Sequence, residues 1–107
     1  MTVMHMAQVV PLSNPGDYRL ARQRIRKLWN EGKTEFTIHA QQNMKKRAIY
    51  APDVWNVIQY GRIIEHSKPM AHWRYTLLGN AVDGKKVKCV VEIDGNLIIV
   101  TVIDLRR

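Results

Sequence analysis

The sequence predicts one α+β domain, with helices in its first sixty residues packed on one face of a four-stranded antiparallel sheet. Three observations carry that expectation. Apolar residues recur at helical spacing as far as Gly61. Beyond it they gather in short β-branched runs. Asp83-Gly84 and Asp94-Gly95 separate the later runs, and such pairs supply the positive φ that tight hairpin turns need. At 107 residues the chain can bury one core and is short for two.

Residues 1–16 read as an extended arm ending in the turn-rich Pro11-Leu12-Ser13-Asn14-Pro15-Gly16, and residues 17–107 as the domain. Asn14 as a side-chain cap, Pro15 behind it and Asp17 in the first turn mark a helix start. Tyr18, Ala21, Ile25, Leu28 and Trp29 form an amphipathic stripe, Arg19, Arg22, Arg24, Arg26 and Lys27 fill most of the remainder, and Gly32 stops the helix. Residues 34–38 form a short extended segment or a helix entry. A second helix covers residues 39–47. Pro52 opens a third, with Val54, Val57 and Ile58 inward and Gly61 as its terminator. Strands follow at Ile63-Ile64 and over residues 73–82, 86–93 and 97–104, the last three as a meander. Ile98-Ile99-Val100 is apolar on both faces, which fits a central strand or one covered on both sides.

Composition narrows the function. Seventeen Lys and Arg against nine Asp and Glu leave +8, a balance that attracts nucleic acid, an acidic protein or an anionic membrane surface. No run approaches the ~18 apolar residues of a membrane span, and the opening segment lacks the charged and apolar regions of a secretory signal. The expected location is the cytoplasm. Cys89, the single cysteine, lies in an apolar run and reads as a small core residue. No metal-ligand spacing, phosphate-binding glycine loop or serine elbow is present, so neither a metal nor a nucleotide cofactor is expected.

The remaining chemistry is basic and acid–base. His39 begins the second helix, Asn43 and Lys46 share a face with it, and Arg47 lies about two turns on. Arg74 and Tyr75 point to opposite sheet faces. Lys85, Lys86 and Lys88 crowd a turn and strand, and Thr101 interrupts the apolar last strand. A two-residue turn at Asp94-Gly95 would set Lys88 opposite Thr101. Such groups suit RNA cleavage without a metal, in which the substrate's own 2′-hydroxyl attacks phosphorus. The protein then supplies a proton-transfer group and cations for the phosphoryl oxygens. Each residue has a plainer use: His39 as a cap, Arg74 as a cross-strand partner of Glu65 or Glu92, Thr101 as an ordinary β-former. Arg19, Arg22 and Arg26, with Lys46, Lys85, Lys86 and Lys88, are the expected RNA-binding cations.

The residue order Phe36-x-Ile38-His39-Ala40, Met44-x-x-Arg47, Pro52-Asp53-Val54, Gly61-x-Ile63-Ile64-Glu65, Arg74-Tyr75, Gly79 and Ile98-Ile99-Val100-Thr101-Val102 resembles a small bacterial family known as a domain of unknown function. The resemblance spans residues 34–104. Members look like the RelE-type ribonuclease toxins of toxin–antitoxin pairs and are often encoded beside a zinc-finger antitoxin. It therefore implies a RelE-like fold and RNA as substrate, ribosome-associated mRNA included, with an acidic or zinc-finger antitoxin as partner. It implies His39 as the acid–base group, Arg47 and Arg74 on the phosphate, and Thr101 at the sheet floor. Residues 1–32 lie outside the match, and the lysine-rich helix and terminal aromatic set of ribosome-dependent toxins have no counterpart. Two functions follow: an endoribonuclease toxin, or a basic module on the same scaffold that binds without catalysis.

Overall fold

The computed structural model describes residues 18–105. The arm over residues 1–16 and the cap expected at Asn14-Pro15 lie outside the described residues. The order is α1 (Arg19–Asn30), β1 (Thr34–Phe36), α2 (Ile38–Arg47), α3 (Ala51–Tyr60), β2 (Arg62–Ser67), β3 (Arg74–Asn80), β4 (Lys86–Asp94) and β5 (Asn96–Asp104). The α+β class holds. The four-stranded antiparallel sheet does not: the sheet has five strands in the order β1-β5-β4-β3-β2, and β1 runs parallel to β5. Three residues give too little alternation to declare a strand from sequence. Thr34–Phe36 becomes one because β5 offers an open edge opposite Leu97–Ile99.

Local chemistry explains most boundaries. The α1 stripe is buried at Ile25 and Leu28, with Tyr18, Ala21 and Trp29 packed beside them. Gly32, at φ 75°, closes α1 as its N–H donates to Trp29 and that of Lys33 donates to Leu28. Ala48 ends α2 in the same left-handed geometry, at φ 54°, with Ile49 N–H donating to Met44. Asp53 ties down the start of α3. Its Oδ2 accepts from Tyr50 N–H at 2.8 Å and its Oδ1 from Val82 N–H at 2.9 Å, fixing the helix to the β3–β4 turn.

Gly61 ends α3 as expected, at φ −74°, so the position does not need a left-handed backbone. Space is the requirement instead. A Cβ there would sit 2.4 Å from the Val57 carbonyl oxygen and 2.8 Å from that of Leu78. Gly79 faces it across the same seam, where an added Cβ would meet Gly61 Cα at 3.1 Å. The two glycines let α3 lie directly on β3.

The core covers one sheet face: Ile63, Leu77, Val87, Cys89, Val91, Leu97, Ile99 and Val102 meet Ile25, Leu28, Ala40, Val54, Val57 and Ile58. Cys89 is fully buried, and burial pushes its thiol up to about 12. The second face carries Arg74, Thr76, Leu78, Lys88, Val90, Glu92, Ile98, Thr101 and Ile103 by strand pairing. Most of these are only half-buried and Ile103 is exposed, so this face is largely open. β5 is an internal strand, as its apolar run indicated, but the run does not end in cover on both sides.

A bulge decides what that face presents. Val91 pairs with Ile99, but Val90 pairs with Thr101, leaving Val100 without an opposite residue. Strict alternation would send Thr101 inward with Leu97 and Ile99. The extra residue turns it outward and brings Val102 into the core. The expected pairing of Lys88 with Thr101 is corrected with it: Asp94 faces Asn96 across Gly95, and Lys88 pairs with Ile103. Lys88 and Thr101 still share the open face, one pair apart.

Candidate active site on the open sheet face

Thr37 joins the helix to the sheet at the site. Its hydroxyl accepts from Ala40 N–H at 3.0 Å, capping α2, and donates to the Val100 carbonyl at 2.8 Å, holding the bulge. The role of helix cap, open for His39, therefore belongs to Thr37. His39 stands one residue inside α2 and is exposed. Asn43, one turn on, has Nδ2 3.5 Å from His39 Nε2 and donates to Thr101 Oγ1 at 3.1 Å and toward the Val102 carbonyl at 3.5 Å. The structure thus connects His39 and Thr101 through Asn43. Its place in the site follows from its spacing to His39 together with the bulge that turns Thr101 outward.

Arg74 lies on the same face, two strands across. Its Nε and Nη2 both donate to Glu92 Oε2, at 3.1 and 2.9 Å, between directly paired residues. Two of its five N–H groups are used and three remain. Glu92 is diagonal to Thr101 in the β4–β5 ladder, a relation that places Cα atoms roughly 7–8 Å apart. Beside them Thr76 donates to Glu65 at 3.3 Å. Glu65 and Glu92 are visible in sequence as strand carboxylates, but which one takes Arg74 depends on register.

Arg47 does not join this group. It ends α2 about 12 Å along the helix axis from His39. There Lys85 Nζ donates to the carbonyls of Arg47 and Ala48, at 3.3 and 3.4 Å. Arg47 and Arg74 thus mark opposite ends of the site rather than one phosphate pocket.

The RNA-binding set is redistributed too. Lys85 is a clamp on the α2 carbonyls, its side chain 6% exposed, and is no surface cation. Arg22 and Arg26 are half-buried, whereas Arg19 is exposed, and Arg26 turns toward α3. Arg26 Nε donates to the Ile58 carbonyl at 3.4 Å, in the last turn of α3, where a cation complements the helix dipole. Burial, then the neighbouring Arg22, hold the Arg26 guanidinium below its ordinary range. Arg22 Nε is buried without a hydrogen-bond partner. Lys46 and Lys86 are exposed and Lys88 is half-buried on the open face. The end of α2 and the start of β4 therefore add exposed cations at Lys46 and Lys86, while α1 keeps Arg19, Arg24 and Lys27 exposed.

Among the described residues no three His, Cys, Asp or Glu side chains gather as a metal site. No described helix is long and apolar enough to cross a membrane. No curated protein and no solved structure matches the chain. A family model described as the domain of unknown function DUF4258 matches residues 36–104. That stretch holds every strand but most of β1, the helices α2 and α3, and His39, Asn43, Arg74, Glu92 and Thr101. With well over half of its length matched, the chain belongs to the DUF4258 family.

Proposed function

We propose that the open sheet face binds RNA and cleaves it by transesterification, on a RelE-like scaffold, as the toxin half of a cytoplasmic toxin–antitoxin pair. One observation carries the reading: an exposed histidine, a threonine and an arginine–carboxylate pair share one accessible face. Cleavage by the 2′-hydroxyl needs two proton transfers. Glu92 takes the proton from the 2′-oxygen as that oxygen attacks phosphorus. Protonated His39 gives one to the departing 5′-oxygen as the P–O5′ bond breaks, leaving a 2′,3′-cyclic phosphate and a 5′-hydroxyl. Arg74 holds the Glu92 carboxylate and turns its remaining N–H groups to the phosphoryl oxygens. Thr101 and Asn43 orient the imidazole side of the site. Lys46, Arg47, Lys86 and Lys88 track the backbone beyond it. The antitoxin, an acidic or zinc-finger protein, would cover this same basic face.

Purified protein, wild type and His39→Ala or Glu92→Gln, incubated with end-labelled RNA tests this. The wild type is expected to yield cyclic-phosphate ends, with each variant slower by about 100-fold or more. Equal cleavage by wild type and His39→Ala would remove His39 from the chemistry.

The neutralisation of Arg74 by Glu92 favours a second reading, a module that binds RNA or an acidic partner without turnover. It predicts intact RNA with wild-type protein and an affinity that falls steeply with salt.

A further inference from the structure

We infer that Arg22 and Arg26 form a binding site for a phosphate dianion beside the end of α3. α1 packs on the core side of the sheet through Ile25 and Leu28, so this site is separate from the open face and does not rest on RNA being the ligand there.

The two arginines stand one turn apart on α1, a spacing that makes them neighbours on one side of the helix. Both are half-buried, whereas Arg19, Arg24 and Lys27 of the same helix are exposed. Arg26 is fixed in place, because its Nε donates to the Ile58 carbonyl at 3.4 Å. Arg22 is not: its Nε is buried and has no hydrogen-bond partner. The two charges also act on each other. Burial first, and then Arg22, hold the Arg26 guanidinium below its ordinary range.

The described fold does not answer this charge. None of the described ion pairs includes Arg22 or Arg26. Glu31, the acid that follows α1, takes Lys27 and Lys33 instead. The end of α3 offers only about half a negative charge through its dipole, against two full positive ones. Like charges at this spacing repel, and a buried N–H without an acceptor is costly. A phosphate dianion removes both deficits. Its charge equals that of the pair, and its oxygens accept from two guanidinium forks, whereas one fork already fills a carboxylate.

The test uses full-length protein in phosphate-free buffer, titrated calorimetrically with inorganic phosphate and melted in phosphate or in chloride of equal ionic strength. The wild type should bind phosphate and melt higher in it than in chloride. Arg22→Gln and Arg26→Gln should each weaken binding roughly tenfold or more. Arg22→Lys, which keeps the charge without the fork, should recover only part. Arg24→Gln removes an exposed cation of the same helix and should bind as the wild type does. Without phosphate, Arg22→Gln should melt no lower than the wild type, since the repulsion is relieved. Three results would each overturn the inference: no preference for phosphate over chloride, a loss in Arg24→Gln as large as in Arg22→Gln, or a lower melting temperature of Arg22→Gln in phosphate-free buffer. The first removes the site, the second makes it an effect of net charge, and the third makes Arg22 part of the fold. A nucleoside 5′-monophosphate that binds more tightly than inorganic phosphate through Arg22 assigns the group to a nucleotide, and equal binding assigns it to the free ion. The nuclease reading of the open face is untouched by any of these outcomes.

Discussion

Replacing Thr37 by Val removes one hydroxyl and keeps the shape of the side chain, so the energetic role of that hydroxyl can be worked from two bonds. Without it the Ala40 N–H loses its acceptor at the start of α2, and such cap losses cost about 1 kcal/mol. The Val100 carbonyl at the bulge loses its donor, for about 1 kcal/mol more. Because both bonds also hold α2 against β5, the expected destabilisation is about 2–3 kcal/mol. In a domain of this size that is a fall of about 10–20 °C in melting temperature. Thermal and urea unfolding of Thr37→Val and Thr37→Ser measure it. Serine keeps the oxygen and should stay within about 0.5 kcal/mol of wild type. Amide exchange should quicken at Thr101 and Val102, beside the bulge, more than in β3. A serine variant that falls as far as valine would show that the methyl group matters and not the hydroxyl. A valine variant that melts with the wild type would refute the account of how the bulge is held.

Other substitutions probe the remaining seams. Asp53→Ala strands the Tyr50 and Val82 N–H groups and should cost about 2–4 kcal/mol, with Asp53→Asn little better because one amide group faces a donor; urea midpoints decide this. Gly61→Ala forces a Cβ onto two backbone carbonyls and should destabilise by about 2 kcal/mol or more in the same assay. Lys85→Met should lower stability by about 1–2 kcal/mol yet leave RNA affinity unchanged, whereas Lys86→Gln should do the opposite. Cys89 is neutral in the fold and its pKa is raised from 9.0 to about 12. Its contribution is therefore present below pH 9 and lost as pH rises toward 12, by up to about 1.4 kcal/mol per unit. Cys89→Ala should flatten that alkaline decline relative to wild type.

Much of the architecture is legible along the chain because the signals are local. The apolar stripe from Tyr18 to Trp29 is buried as spaced, Pro52 and Gly61 bound α3, and the Asp-Gly pairs make the turns. Each depends on a few neighbouring residues meeting one another or water. Other motif residues, Ala40, Asp53, Gly61 and Gly79, are required by packing and capping, so the same pattern carries structure as well as a site.

Composition and residue order alone determined a basic α+β domain, its helix and strand sequence, and a short set of residues capable of acid–base and phosphate chemistry. Tertiary structure decided which of them share a face. A three-residue segment became a fifth strand because β5 had an open edge. One bulge, held by Thr37, turned Thr101 toward Asn43 and His39 against the alternation of its own strand. Register gave Arg74 to Glu92, and packing against helix ends drew Arg26 and Lys85 into support of the fold. Periodicity fixes orientation only within an element, while register, bulges and end-to-end helix contacts arise from residues far apart in sequence, and these place the side chains of the site.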